Sequence, residues 1–212
     1  FDHLKEENIT FTGSLGDQNG LGIILESQAT DRTILSYKGC NNDLHEEDIP
    51  EDITADWFYT STVMGETREA MTSLITSLED TTTAMNVSSY LARQGIEDLQ
   101  PALAATDYLF LNYEEAKDLT GYHEIPRMIS TLNDALRGIP IITRGSNGVY
   151  YADGDINHME SQSETVVETT GAGDAFNAGF ITAKANGYER QSAVTAGMIQ
   201  AEHVIQHKSS TE

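Results

Sequence analysis

The chain has 212 residues, of which 39% are hydrophobic, and its 34 acidic and 12 basic side chains give a formal net charge of −22. This length and composition indicate one sizeable folded domain with at most a small appendage, and they exclude wholesale disorder. The charge excludes nucleic acid and anionic membrane as partners, because both need clustered Lys and Arg.

Cysteine use and charge distribution suggest a compartment and a habitat. Cys40 is the single cysteine and cannot form an intrachain disulfide, which favours a reducing cytoplasm. The acidic residues are spread along the chain, with one dense run at 46–52. A uniformly acidic, lysine-poor surface resembles that of proteins from salt-rich cytoplasm, where salt screens self-repulsion. We therefore hypothesise a halophilic origin.

The first elements are strand-like. Residues 22–26 and 33–37 are rich in β-branched and apolar side chains, and the polar segment 29–32 separates them. This pattern predicts an antiparallel hairpin, and the acidic run after it predicts a solvated connection.

From residue 54 onward the pattern alternates between strands and helices. The predicted strands are 56–60, 83–86, 108–112 and 139–143, followed by a hairpin that begins at 148–151. The predicted helices are about 66–79, 97–104, one that begins at 113, 126–137, 172–186 and 190–206. Such alternation predicts the α/β class, with helices on both faces of a sheet.

The segment Thr170-Gly171-Ala172-Gly173-Asp174 precedes an apolar helix. Glycines let the backbone turn so that several N–H groups point to one place, and a helix N-terminus then forms an anion site. A carboxylate in the first turn can take a proton from an attacking hydroxyl. The alternative is an aspartate that only caps its helix.

The longer stretch 169–180, Thr-Thr-Gly-Ala-Gly-Asp-Ala-Phe-Asn-Ala-Gly-Phe, resembles the C-terminal signature of the ribokinase-like (PfkB) kinases. The resemblance implies a central, mostly parallel sheet flanked by helices, with a small β lid. It also implies that Asp174 is the general base and that Gly171, Ala172 and Gly173 form an anion hole for the transferred phosphoryl group.

Two further segments resemble motifs of the same family. Asn112-Tyr113-Glu114-Glu115 is similar to its N-x-x-E motif, which implies that Asn112 and Glu115 organise Mg²⁺ around the phosphates of ATP. The alternative is acids that begin a helix. The segment 143–148 is similar to T-x-G-x-x-G, which implies a nucleotide contact through Thr143, Gly145 and Gly148. Its alternative is a turn before a hairpin. Arg144 adds a phosphate contact or is simply exposed.

The resemblance also implies the substrate region. Residues 10–45 correspond to the lid, and residues 1–9 and 46–212 to the α/β kinase domain. Asn41 in the lid and Asn86 at the end of a central strand are the expected sugar or nucleoside contacts, since ligands of open α/β sheets bind at strand ends. Lid strands of the family often support dimers, so we expect a homodimer through the lid.

The sequence departs from the family pattern in two places. Glu168 stands where the family usually has Asp, and with Thr170 it would hold a monovalent cation such as K⁺. The opening strands and the early substrate-binding residues of the family have no counterpart, which predicts that the N-terminal part is missing. The sequence thus predicts ATP-dependent phosphoryl transfer to a sugar or nucleoside hydroxyl. The alternative is a non-catalytic binding relative or an inactive fragment.

Overall fold

The computed structural model describes residues 2–11, 17–26, 32–50, 52–161 and 171–206. The chain divides into two compact units. The first comprises residues 1–53 and 63–77, and the second comprises residues 54–62 and 78–212. No helix among the described residues has the length and apolar character that crossing a membrane requires.

The first unit contains a hairpin and short helical segments. Helix α1 (Asp2–Glu6) is followed by β1 (Leu21–Glu26) and β2 (Arg32–Tyr37), which pair antiparallel with Leu21 opposite Tyr37. Two 3₁₀ turns, Gly39–Asn42 and Glu46–Asp48, lead towards helix α2 (Gly65–Ser77). The hairpin predicted from the β-rich segments is confirmed, while residues 29–31 of its predicted turn lie outside the described residues.

The second unit is built on a six-stranded sheet in the order β3-β4-β5-β6-β7-β8. Neighbouring strands are parallel from β3 to β6, and β7 and β8 are antiparallel to their neighbours. The strands are β3 (Trp57–Thr60), β4 (Thr82–Asn86), β5 (Tyr108–Asn112), β6 (Ile139–Thr143), β7 (Val149–Asp153) and β8 (Asp155–Met159). The predicted α/β class and mostly parallel sheet are confirmed.

Six helices flank this sheet in the described part of the second unit. They are α3 (Ser89–Ala92), α4 (Gly95–Ala104), α5 (Tyr113–Thr120), α6 (Ile125–Ala135), α7 (Ala172–Ala185) and α8 (Arg190–Ile205). Strands β5 and β6 are nearly continuous apolar runs, as expected for parallel strands that are buried on both faces. The sequence did not predict α1 or α3, because four or five residues are too few for a helical period to be visible.

Aromatic packing holds α7 against the sheet, and α8 packs on α7. Phe110 on β5 meets Phe176 and Phe180 on α7 edge to face, at ring-centre distances of 6.2 and 5.3 Å. The two helices approach closely at Gly179 and Gly197. A Cβ added at Gly179 would lie 3.0 Å from the Cα of Gly197, and one at Gly197 would lie 2.8 Å from the Phe176 ring. Glycine at these positions therefore sets the separation of the two helices.

A polar cluster fixes the amino ends of the central strands. The Arg137 guanidinium donates to both carboxylate oxygens of Asp107, at 2.8 and 2.6 Å. The same carboxylate accepts from the backbone N–H of Thr83 at 2.8 Å and from its hydroxyl at 3.1 Å. These contacts join β4 to the turns that precede β5 and β6, at the end of the sheet opposite the predicted site.

Candidate active site

The predicted anion-binding segment lies at the start of α7. Gly171 precedes the helix with a φ of 82°, a left-handed conformation that suits glycine and turns the chain directly into the first helical residue. The first N–H groups of a helix have no partner within it and carry the positive end of its dipole. Asp174 is exposed in this first turn. Amide donors and a carboxylate are thus side by side.

The predicted nucleotide segment is a tight loop between β6 and β7. Thr143 ends β6, and its backbone lies beside Asn112 at the end of β5. The N–H of Arg144 donates to the carbonyl of Gly148 at 2.8 Å, which closes the loop. Gly148 has a φ of 76°, and a Cβ there would lie 2.0 Å from the carbonyl oxygen of Met159. Only glycine fits at this position, because both the backbone conformation and the space exclude a side chain.

A cavity of about 340 Å³ brings these two segments together. Thr143, Gly145 and Gly148 line one side, and Ala172 and Gly173 line another. Ser146 of the same loop also lines it, and the remaining walls are mostly apolar and come from β7, α7, α8 and residue 161, namely Val149, Ser161, Phe176, Met198, Ala201, Glu202 and Ile205. The size and the apolar lining with a few polar groups are typical of small-molecule pockets. Neither Arg144 nor Asp174 is part of the lining.

Arg144 makes a contact that the sequence did not predict. It is exposed, and its guanidinium lies 4.4 Å from the centre of the Tyr113 ring. This cation–π contact holds the guanidinium beside the ends of β5 and β6.

Asn112 and Glu115 form a reciprocal cap at the start of α5. The Asn112 side-chain oxygen accepts from the Glu115 N–H at 2.9 Å, and the Glu115 carboxylate accepts from the Asn112 N–H at 2.8 Å. Burial raises the pKa of the Glu115 carboxyl and outweighs the hydrogen bonds from Asn112 and Ser89, which lower it. Asn112 and Glu115 therefore do cap the start of a helix, as the alternative interpretation of this motif expects. The cap places both oxygen-bearing side chains at the carboxyl edge of the sheet.

The donor set at this edge suits Mg²⁺ that keeps most of its water. The described residues contain no group of three or more His, Cys, Asp or Glu that could enclose a metal ion. Mg²⁺, however, is commonly held by one or two carboxylates, by substrate phosphates and by its own waters. Glu115 and Asn112 fit such indirect binding because each carries a side-chain oxygen at the carboxyl edge of the sheet.

The structure places the remaining predicted residues separately. Asn86 ends β4, and its amide donates to the carbonyl of Phe110 at 3.2 Å. Asn41 belongs to the first unit, where its backbone carbonyl accepts from the Thr67 hydroxyl at 2.9 Å. Glu168 and Thr170 lie outside the described residues.

One polar pair beside Asp174 was not predicted. The amide of Asn177, which is buried in α7, donates to the Tyr59 hydroxyl on β3 at 3.1 Å. Burial raises the pKa of Tyr59, the hydrogen bonds with Asn177 and Ser61 oppose this, and the nearby Asp174 charge raises it further. The two residues are 118 positions apart in the chain, so no local pattern could have revealed the pair.

The fold and the cavity define an α/β protein in which the N-terminus of a helix adjoins an apolar ligand pocket. The family model for the pfkB family carbohydrate kinases matches residues 1–212. The chain therefore belongs to the pfkB family.

Curated relatives and solved structures agree with this assignment. The chain is 28% identical over 119 residues to the cytidine kinase of Thermococcus kodakarensis, an alignment of 55% of this chain and 42% of the relative. It is 29% identical over 150 residues to a fructokinase of Klebsiella pneumoniae, covering 65% and 49%. The chain thus aligns with about half or less of each curated relative's length.

Among solved structures, adenosine kinase from Sinorhizobium meliloti superposes with a TM-score of 0.87 at 20% identity, covering 100% of this chain and 69% of that one. The nucleoside kinase of Methanocaldococcus jannaschii gives a TM-score of 0.80 at 20% identity, with 99% and 70% covered. The predicted ribokinase-like fold is therefore confirmed.

Proposed function

We propose that this chain carries the nucleotide-binding and phosphoryl-transfer machinery of an ATP-dependent sugar or nucleoside kinase. The single observation that carries the proposal is that the Thr143–Gly148 loop and the Ala172–Gly173 helix start line one cavity. ATP needs both an apolar pocket for its base and amide donors for its phosphates. Membership of the pfkB family supports the same activity.

In the proposed reaction, Asp174 removes the proton from an acceptor hydroxyl as that oxygen attacks the γ-phosphorus of ATP. The new O–P bond forms while the bond between the γ-phosphorus and the β,γ-bridging oxygen breaks, and ADP leaves. The amides at the start of α7 stabilise the charge on the transferred group. Asp174 suits the role of base because it is exposed beside these amides.

Asn112 and Glu115 would position hydrated Mg²⁺, which neutralises charge on the nucleotide phosphates when it is bound. Arg144, stacked on Tyr113, would provide a further cation for the phosphates. Glu168 and Thr170 remain the proposed monovalent-cation residues. Activity that is equal in KCl and in tetramethylammonium chloride would argue against a K⁺ site.

The acceptor would be a sugar or a nucleoside, and the relatives include kinases named for cytidine, fructose and adenosine. Asn86 supports an acceptor site at the carboxyl edge of the sheet because it ends β4. Asn41 remains a proposed contact from the lid.

We also propose that the β1–β2 hairpin forms a homodimer. Five apolar side chains lie on alternating, paired positions of the hairpin with 47–59% of their surface exposed: Leu21, Ile23, Leu25, Leu35 and Tyr37. Light scattering of the wild type and of Ile23→Lys tests this. A wild-type monomer would refute the proposal, whereas a dimer that Ile23→Lys dissociates would support it.

The central test is ATP-dependent phosphorylation of adenosine, cytidine, fructose and 2-dehydro-3-deoxygluconate with Mg²⁺ and KCl, in the wild type and in Asp174→Asn. We expect Asp174→Asn to reduce kcat by about 10²–10⁴-fold, the usual contribution of a general base, and to keep the circular dichroism spectrum. Asp155→Asn is the control, since Asp155 is an exposed carboxylate on β8. Folded wild-type protein without turnover would favour the non-catalytic alternative.

A further inference from the structure

The Tyr59–Asn177 pair is a polar contact next to a group of packed aromatic rings. Trp57, two residues earlier on β3, stacks on Tyr108, which in turn meets Phe180 edge to face. Tyr59 is different because its ring ends in a hydroxyl that accepts a hydrogen bond from the Asn177 amide at 3.1 Å. Packing alone would be satisfied by phenylalanine, so the hydroxyl of Tyr59 calls for a separate explanation.

Asn177 lies on the same side of α7 as Asp174. The two residues are three apart, and residues at that spacing lie next to each other on a helix surface. Asn177 is 4% exposed. Among the described residues of α7, it is the one polar side chain that is buried. A buried amide costs stability unless it is hydrogen-bonded, so the contact with Tyr59 fixes the position of both side chains.

The phenol proton is not used in the contact with Asn177. The Tyr59 oxygen accepts from the Asn177 amide, and Ser61 is its other hydrogen-bond partner, close to the charge of Asp174. An acceptor oxygen would therefore compete with Ser61 for the phenol proton. Tyr59 is 38% exposed, so a ligand can reach it. The phenol is protonated at neutral pH because its ordinary pKa is about 10, and burial and the Asp174 charge raise that pKa further.

We infer that Tyr59, held by Asn177, positions the acceptor substrate by donating its hydroxyl proton to an acceptor oxygen next to the hydroxyl that reacts with Asp174. This inference rests on the proposed kinase function and deepens it. It assigns the acceptor to the class of polyhydroxylated molecules that carry an oxygen beside the phosphorylated hydroxyl. Tyr59 takes no proton from the acceptor, and it orients the molecule so that the reacting hydroxyl faces Asp174.

The first experiment compares the wild type with Tyr59→Phe in the phosphorylation assay with adenosine, cytidine, fructose and 2-dehydro-3-deoxygluconate. Tyr59→Phe removes one oxygen atom and keeps the ring. We expect KM for the acceptor to rise about three- to tenfold, the usual effect of one lost hydrogen bond, while KM for ATP stays unchanged. Tyr108→Phe is the matched control, since it also removes one phenol hydroxyl, and the Tyr108 hydroxyl is paired with Arg190 and not with Asn177.

The second arm uses deoxy analogues of whichever acceptor is phosphorylated. The analogue that lacks the contacted oxygen should have the same KM with wild type and Tyr59→Phe, because the hydrogen bond is already absent. An equal rise in KM for every analogue, or none for the parent acceptor, would overturn the inference. Asn177→Ala should raise the acceptor KM as well, since it releases the tyrosine.

A binding measurement separates this inference from the kinase proposal. The acceptor-induced rise in melting temperature is measured for the wild type, Tyr59→Phe and Tyr108→Phe without ATP. If the wild type binds an acceptor but does not phosphorylate it, the kinase proposal fails, and a smaller shift in Tyr59→Phe alone still supports the positioning role. If no compound shifts the wild type, or if both variants respond alike, the inference is wrong.

Discussion

Asn112 and Glu115 bind each other across the first turn of α5, and this gives one pair of residues two tasks. The reciprocal cap satisfies backbone N–H groups that the helix itself leaves unpaired. The same side chains carry the oxygens proposed for hydrated Mg²⁺. A substitution that keeps the cap and removes the negative charge can separate the two tasks.

Glu115→Gln is that substitution, because glutamine also serves in a capping box. We expect the free energy of unfolding at pH 7 to stay the same or to rise slightly, since burial disfavours the Glu115 charge and raises its pKa. The Mg²⁺ concentration for half-maximal activity should increase about tenfold, by analogy with the loss of a group that orients metal-bound water.

The control for this prediction is Glu114→Gln. Glu114 is exposed and pairs with Lys117 at 2.6 Å on the helix surface, so its change should leave the Mg²⁺ dependence as it is. If Glu115→Gln lowers stability and leaves the Mg²⁺ requirement unchanged, the pair is a cap and nothing more.

At the scale of the elements, the contact of Arg137 with Asp107 contributes to stability in a pH-dependent way. Burial alone would raise the pKa of the Asp107 carboxyl, but the hydrogen bonds from Arg137 and Thr83 outweigh it and lower that pKa. The unfolded state therefore binds the proton more tightly. The stabilisation is complete above the unfolded pKa of about 3.9 and is lost as the pH falls through the lower folded pKa.

We therefore expect Asp107→Asn to reduce the free energy of unfolding by about 1–2 kcal/mol at pH 7. This loss is smaller than for a fully buried pair, because Arg137 is partly exposed and solvent screens the interaction. The difference should shrink as the pH is lowered below about 4. Urea unfolding across this pH range measures it. Asp118→Asn breaks the more exposed pair with Arg93 and should cost less than about 1 kcal/mol. Equal losses in the two variants would contradict the prediction.

The Gly179–Gly197 approach links helix packing to the cavity. Gly197→Ala places a methyl group 2.8 Å from the Phe176 ring, and that ring lines the cavity. Overpacking of this kind typically costs about 1–3 kcal/mol. We expect a lower melting temperature and a higher KM for ATP, while Ser192→Ala on the exposed face of α8 should change neither. A loss of stability with normal ATP affinity would show that Phe176 does not shape the site.

The sequence predicts those elements whose own residues determine them. Strands β3 to β6 were recognised within one residue at each end because each is a short run of apolar or β-branched side chains between turn signals. The glycine-containing segments were found because backbone N–H groups supply their chemistry, and only a few residue types allow the required turns. Their roles in catalysis and binding stay predictions, since no ligand geometry tests them.

Contacts between distant segments were beyond a single sequence. Nothing local in β3 or α7 indicates that Tyr59 meets Asn177. The residues of α8 that line the cavity do follow a pattern in the sequence, because Met198, Ala201 and Ile205 recur at helical spacing. That spacing is shared by every buried helix face, so it could not be assigned to a ligand pocket before α8 was placed beside the Thr143–Gly148 loop.

At the scale of the whole molecule, the net charge of −22 predicts a response to salt. Repulsion between acidic side chains opposes the compact state, and added ions screen it. We expect the melting temperature to rise by at least about 5 °C between 0.1 and 2 M KCl, roughly 1–2 kcal/mol for a domain of this size. Calorimetry across a KCl series measures the change.

A variant with Glu46→Gln and Glu47→Gln should respond less to KCl, because both side chains are exposed in the dense acidic run. A melting temperature that is independent of KCl would refute the halophilic hypothesis. Cys40 is the single cysteine of the chain, so no intrachain disulfide contributes to its stability, and a reducing agent should leave the melting temperature unchanged.

The strand order of the sheet has a consequence for biosynthesis. Each strand from β3 to β8 lies beside the one that follows it in the chain. During synthesis, each new strand can therefore pair with the strand made just before it, and few strands depend on a partner that is synthesised much later. The cavity proposed for the nucleotide is different, because its walls extend from Thr143 to Ile205. A nascent chain would thus acquire its sheet during translation and complete the proposed nucleotide cavity only after α8 has emerged.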